Sequence, residues 1–133
     1  MPRYLLDTNV LSALMRDPLG PAGQKVLLLD DNAVCTSIVC AAELRSGVVR
    51  RPTPARVAQL ETVLSSIPTE PMAPPADLIY ATVRSELEAA GTLIGGFDML
   101  IAAHALALGC VLITDNEREF RRVPGLTLEN WLT

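Results

Sequence analysis

The sequence predicts an α/β fold: one domain over residues 1–133, built as a three-layer α/β/α sandwich around a mainly parallel sheet. Three observations carry this. Short β-rich runs alternate with longer amphipathic segments, which implies right-handed crossovers and a sheet covered on both faces. Half of the residues are hydrophobic but only 4% are aromatic, so the core is aliphatic, and 133 residues suffice to bury one. No repeat, low-complexity stretch or shift in composition marks a second domain.

The elements follow in order. Tyr4, Leu5 and Leu6 read as a buried strand stopped by Asp7. Asn9 to Arg16 is a short helix ended by Pro18 and Gly20, and Gln24 to Leu29 continues helically. "AVCTSIV" is β-rich, and Ser37 can cap a helix from Ile38 to about Ser46, with Gly47 as its stop. "RRPTP" is a loop before an amphipathic helix from Ala55 to Leu64. The four prolines of "SIPTEPMAPP" predict an irregular crossing or a short edge strand. Asp77 to Ala89 is a long helix that ends at Gly91. After the flexible "GTLIGG", a helix runs from Asp98 to Leu108, Gly109 turns the chain, and Cys110 to Thr114 is a strand. A short helix around Glu117 to Arg121 and "GLTLENW" close the sequence.

Charge and targeting narrow the function classes. The formal net charge of −4 argues against a broad basic footprint for nucleic acid. Lys25 is the sole lysine, and arginine is the better residue for forked contacts to phosphate. Cys35, Cys40 and Cys110 lie in apolar segments without zinc spacing and read as free thiols in a reducing compartment. Asp7 cuts short the N-terminal apolar stretch, so no signal peptide is expected. The longest apolar run, "MLIAAHALALGCVLIT", falls short of the roughly 20 residues that span a bilayer. A soluble, cytoplasmic protein is the expectation.

Three carboxylates stand out. Asp7 follows the first strand, where it can cap the next helix or supply oxygen to a ligand at the carboxyl edge of the sheet. Glu43 and Asp98 also lie among apolar neighbours, and none of the three has a basic residue one turn away on its own helix. Unpaired carboxylates in such surroundings are costly. Three that point to one sheet edge call for a shared counter-charge, and hard cations such as Mg²⁺ take oxygen ligands. "TDNEREF" adds Asp115, Asn116 and Glu119 within about one helical turn. Here a capping box, Thr114 with Glu117 or Asn116 with Glu119, competes evenly with a metal shell, and Arg122 is a possible partner for Glu119.

Together, "LLDTNVL", "AAEL", "IGGFDMLIAAHAL" and "LITDNEREF" followed by "VPGLTLENW" resemble the PIN-domain ribonucleases, and more specifically the VapC-type toxins of bacterial toxin–antitoxin pairs. The resemblance spans essentially the whole chain, with the motifs in the right order. It implies an endoribonuclease dependent on Mg²⁺, with Mn²⁺ as substitute, acting on structured RNA such as tRNA. It also implies a homodimer and a small VapB-type antitoxin partner. The family's acidic residues carry over onto Asp7, Glu43 and Asp98. Many members have Asp two residues after the strand's Thr, where this sequence has Asn116, so Asp115, Asn116 and Glu119 remain alternatives for the fourth position.

In that frame Asp7 and Asp98 are assigned to metal ligation. Glu43 orients or deprotonates the attacking water, with ligation of a second ion as an added option. Thr8, Asn9, Thr114 and Asn116 are candidates for supporting or phosphate contacts. His104, six residues beyond Asp98 and off its helical face, reads as structural. The basic runs place Arg45, Arg50, Arg51, Arg118, Arg121 and Arg122 as either solvated surface or guides for RNA phosphates. Trp131 is expected to anchor the C-terminus. An antitoxin is expected to insert an Arg or Lys among Asp7, Glu43 and Asp98 while an apolar helix covers a groove between the Leu11 to Leu14 and Ala55 to Leu64 segments. Two other classes compete: a metal-binding interaction module without turnover, and a phosphoacceptor signalling domain. The latter typically uses a lysine after a late strand, and Lys25 comes too early.

Overall fold

A computed structural model describes residues 2–133. Five parallel strands form one sheet in the order β3-β2-β1-β4-β5. In chain order the elements are β1 (Tyr4–Leu6), α1 (Thr8–Arg16), α2 (Pro21–Leu27), β2 (Val34–Ser37), α3 (Ile38–Arg50), α4 (Pro54–Ser66) and β3 (Thr69–Glu70), then α5 (Ala76–Ala90), α6 (Gly96–Leu108), β4 (Val111–Ile113), α7 (Glu117–Phe120) and β5 (Leu128–Glu129). This is the α/β arrangement expected from the sequence. Helices α1, α3 and α4 pack on one another with α2 against α1, while α5 packs on α6, and α6 lies on β2 and β4.

Strand β1 occupies the centre because its residues are wholly apolar where they meet neighbours. Leu5 pairs with Cys35 on one side and Leu112 on the other, and all three are fully buried. A strand buried on both faces loses the polar alternation of an exposed one, which is why β1 and β4 read as short continuous apolar runs, while in β2 the buried Thr36 hydroxyl donates to the Leu6 carbonyl. Since all strands run the same way, their carboxyl ends share one edge. Asp7 ends β1, Ser37 ends β2, and Thr114 follows β4 there.

Several boundaries depart from the sequence reading. Helix α3 does not stop at Gly47 but continues to Arg50. Gly47 has no positive φ, and Val48 beyond it is buried, so continued packing outweighs the helix penalty of glycine. Helix α2 begins at Pro21, whose fixed φ suits a first helical position, rather than at Gln24. The proline-rich segment yields the short edge strand β3. Gly91 and Gly109 adopt left-handed φ of 68° and 67° at the ends of α5 and α6, where they let the chain turn toward α6 and into β4 respectively. Trp131 is buried, packs at a tilt against Tyr4 with ring centroids 5.1 Å apart, and lies beneath Lys25, so the C-terminus is anchored as expected. Among the described residues no helix is long and apolar enough to cross a membrane.

Candidate active site

Asp7 is both a cap and a pocket wall. Its Oδ1 accepts the Thr8 N–H at 2.8 Å, capping α1, and its Oδ2 accepts the Thr114 hydroxyl at 2.8 Å. The Asn9 amide approaches both Asp7 Oδ2 and Thr114 Oγ1 at 3.4 Å. The Thr8 and Thr114 bonds take one lone pair of each oxygen and the Asn9 contact is long, so capping does not use up the group. Cys40 Sγ lies 3.9 Å from Asp7 Oδ1, a neighbour that the sequence did not suggest, and burial pushes that thiol up to about 12.

Glu43 reaches the same place from α3. Its Oε1 accepts the Thr8 hydroxyl at 2.8 Å, so Thr8 binds the β1–α1 junction to α3 through backbone and side chain at once. Asp98 arrives from the first turn of α6. Asp7, Glu43, Asp98 and Asn116 line one open pocket of about 390 Å³, along with Thr8, Asn9 and Ser12. Three carboxylates from three elements thus meet at the carboxyl edge of the sheet.

The "TDNEREF" alternatives separate in space. Asp115 is exposed and contributes charge near Asp7 without lining the pocket. The Glu119 carboxyl lies beside Asp98, where it raises the Asp98 pKa, and it accepts from the Asn116 amide at 3.3 Å. The capping box does not form as drawn. Asn116 occupies the cap of α7 without a side-chain cap bond, and its own N–H donates to Thr114 Oγ1 at 3.0 Å. Arg122 bonds to the Leu93 carbonyl rather than to Glu119.

The electrostatics are those of crowded like charges. Burial raises the Asp7 carboxyl above its ordinary range, with the charges of Glu43 and Asp115 adding to it. Asp98 is pushed up to about 7 by burial, by its hydrogen bond with Glu119, and by the charges of Asp7, Glu119 and Glu43. Such shifts follow when one sign of charge gathers in a partly dehydrated site. The donors are hard oxygens, the class that Mg²⁺ and Mn²⁺ prefer. Among the described residues no three His, Cys, Asp or Glu side chains close into a compact ligand cage. The arrangement therefore suits a hydrated ion that keeps several waters and takes one or two carboxylates.

Other sequence candidates fall elsewhere. His104 is buried 1% exposed, its Nδ1 2.7 Å from Ser37 Oγ, and burial lowers its pKa. It ties α6 to the cap of α3 and does not line the pocket. The three cysteines are buried and free. Arg45 pairs with Glu61 on the surface, and Arg121 with Glu117. Arg50, Arg51 and Arg118 are exposed. Lys25 sits by Trp131, away from the pocket, so the phosphoacceptor arrangement lacks its lysine. Arg56, which the sequence reading passed over, does line the pocket.

A second cavity of about 440 Å³ adjoins the first. Its apolar walls come from Leu14 and Met15 of α1, Leu19, Val26 and Leu27 in and before α2, and Val63 of α4. The expected groove between the α1 and α4 segments is present, and α2 completes it.

Residues 4–126 match the PIN domain family model. The chain belongs to the PIN-domain family. Within that family it is 35% identical to Ribonuclease VapC2 of Rickettsia felis over 130 residues, 96% of this chain and 97% of the relative. It is 32% identical to the tRNA(fMet)-specific endonuclease VapC of Shigella flexneri, over 98% of this chain and 99% of that one. The PIN fold aligns with the crystal structure of DNA-bound VapBC from Salmonella typhimurium at a TM-score of 0.91 and 30% identity, covering 98% of this chain and 99% of that one. VapBC2 from Rickettsia felis bound to a promoter DNA fragment gives a TM-score of 0.90 at 33% identity, over 96% and 98% of the two chains. Likeness at this level over the whole chain places this PIN domain among the VapC proteins.

Proposed function

We propose that this VapC-family chain is an endoribonuclease, the toxin of a toxin–antitoxin pair, acting in the cytoplasm as a single domain and a homodimer. The observation that supports this most is the meeting of Asp7, Glu43 and Asp98 in one open pocket at the carboxyl edge of the sheet. Relatives named as ribonucleases and as a tRNA-specific endonuclease point to structured RNA, such as tRNA, as the substrate.

Asp7 and Asp98 would hold Mg²⁺, or Mn²⁺ in its place, with Glu43 beside them and Glu119 supporting Asp98. Such an ion supplies an activated water and charge relief on the phosphoryl oxygens. Thr114 and the Thr8 N–H fix the two Asp7 oxygens, which keeps the carboxylate oriented before substrate arrives. Thr8 holds Glu43 by one oxygen, leaving the other to take a proton from the attacking water. Asn9 and Asn116 line the same pocket, and their amides, held only by long contacts, can turn to a phosphate oxygen.

The partner reading uses the neighbouring groove. A VapB-type antitoxin would lay an apolar helix along α1, α2 and α4 and place an Arg or Lys among the carboxylates. The crystal structures of VapBC complexes among the solved relatives support a partner of this kind. The purified chain should cleave a structured RNA such as tRNA with Mg²⁺ and fail to do so with excess chelator. Equal cleavage under both conditions would contradict the metal-dependent reading, and no cleavage under either would leave the alternative of a binding module without turnover.

A further inference from the structure

We infer that Arg56 receives a phosphate of the substrate RNA in the acidic pocket, an inference that rests on the ribonuclease reading above. Arg56 sits in the first turn of α4 and, among the described residues, is the single basic side chain lining the pocket together with Asp7, Glu43 and Asp98. Its Nη1 donates to the Arg51 carbonyl at 2.6 Å and its Nη2 to the Gly47 carbonyl at 3.4 Å. Both acceptors belong to the C-terminal end of α3, the helix that carries Glu43. The guanidinium is thus fixed relative to a site residue by neutral groups.

That anchoring leaves most of its binding capacity unused. A guanidinium has five N–H groups in a planar fork, and two are engaged here. Arg45, Arg84 and Arg121 are each paired with a glutamate, whereas among the described residues Arg56 has no carboxylate partner. Its location also runs against local preference, because the first turn of a helix is the positive end of the dipole. The α3 carbonyls offset that cost by holding the charge at their own helix's negative end. A forked cation in the wall of a pocket also lined by carboxylates meets the need of an anionic polymer that has to approach them. The match between guanidinium and phosphate is bidentate and geometrically specific. A purely structural Arg56 would instead serve only to tie the α3–α4 turn, and the two roles differ in what salt does to RNA binding.

The test measures tRNA affinity against salt in an Asp98→Asn background, which binds without cleaving, alongside cleavage by the otherwise native chain. Arg56→Gln is expected to weaken binding about tenfold and to reduce the slope of log affinity against log salt by about 0.7, the value for one phosphate contact on a single strand. Arg56→Lys keeps the charge without the fork, so the slope should stay while affinity falls about threefold. This variant also covers a Gln protein that does not fold. Arg84→Gln, on the far helix α5 and paired with Glu88, is the control and should change neither quantity. An Arg56→Gln protein that melts lower but keeps the parent's salt slope would overturn the inference. So would an Arg56→Lys protein equal to the parent in both affinity and slope. A native chain that cleaves no RNA overturns the ribonuclease reading and this inference with it. A native chain that cleaves, with Arg56 variants unaltered in binding, overturns the inference alone.

Discussion

Helix α1 presents Thr8, Asn9 and Ser12 to the acidic pocket and, two residues beyond Ser12, Leu14 to the apolar groove, while Met15 lines both. Helix α4 divides in the same way, giving Arg56 to the pocket and Ala58, Thr62 and Val63 to the groove. The two cavities are similar in size and opposite in chemistry. The pocket gathers carboxylates whose charges oppose one another, so that Asp98 is pushed up to about 7. The groove leaves apolar surface open, with Leu19 and Leu27 each 73% exposed. Each is unfavourable for the chain alone, and such local conflicts mark function. What differs is the remedy. The pocket calls for a cation, and the groove for an apolar surface. Because the cavities share Met15, one partner can answer both.

The largest effect expected on this comparison is at the pocket. Asp98→Asn should lower RNA cleavage by at least about 100-fold, since it removes the charge proposed to hold a hard cation and leaves the shape nearly unchanged. The fold should survive, and the metal-free variant should melt no lower than the native chain because a like charge is gone. Cleavage assays and thermal melts of the pair check both halves.

The groove should respond in the opposite sense. Leu27→Glu puts a charge on an exposed groove wall without opening the core. It should weaken antitoxin binding about tenfold to 100-fold, roughly the cost of spoiling an apolar anchor, and so relieve inhibition of RNA cleavage. Affinity measurements with the antitoxin, read beside cleavage by the complex, separate this from any effect on the pocket.

A smaller effect is expected from pH. The Asp98 carboxyl moves from 3.8 to about 7 in the folded chain, so between these values the native state holds a proton that the unfolded state has lost. This contribution to stability is fully present below about 4 and is lost as pH rises through about 7. Melting temperature in chelator should therefore fall over that window, and the fall should be reduced in Asp98→Asn. A melting temperature that climbs across the window would show that the crowded carboxylates do not control stability.

The mildest outcome for chemistry is expected at His104. His104→Ala removes the Ser37 contact and leaves a cavity under α6, at a cost of about 2–4 kcal/mol. Specific cleavage per folded molecule should be retained, because the side chain does not enter the pocket. Urea titration and activity normalised to folded protein distinguish the two.

Much of this was legible in the sequence because parallel sheets impose simple patterns. Asp7 at the end of "YLL" and Asp98 at the start of an alanine-rich helix announced themselves as charges beside buried runs. The choice between cap and site residue at Asp7 proved to be no choice, since two oxygens serve both ends. What escaped depended on distance rather than pattern. Gly47 reads as a helix stop, yet burial of Val48 carries α3 onward and brings the Gly47 carbonyl to Arg56. Arg56 itself lay at the end of an arginine-rich run where nothing in the spacing sets it apart from Arg50 or Arg51. Glu119 was distinguishable from Asp115 only once the turn after β4 had a shape: it places one against Asp98 and the other in solvent.

The most direct test is calorimetric titration of Mn²⁺ into the native chain and into Asp98→Asn at neutral pH. If Asp7, Glu43 and Asp98 form a divalent-ion site, the native chain should bind Mn²⁺ saturably and release protons as it does so. Asp98→Asn should bind at least about tenfold more weakly, as expected on losing a ligand. Equal Mn²⁺ affinity in the two proteins, or no saturable binding to the native chain, would contradict the assignment of this pocket as the metal centre.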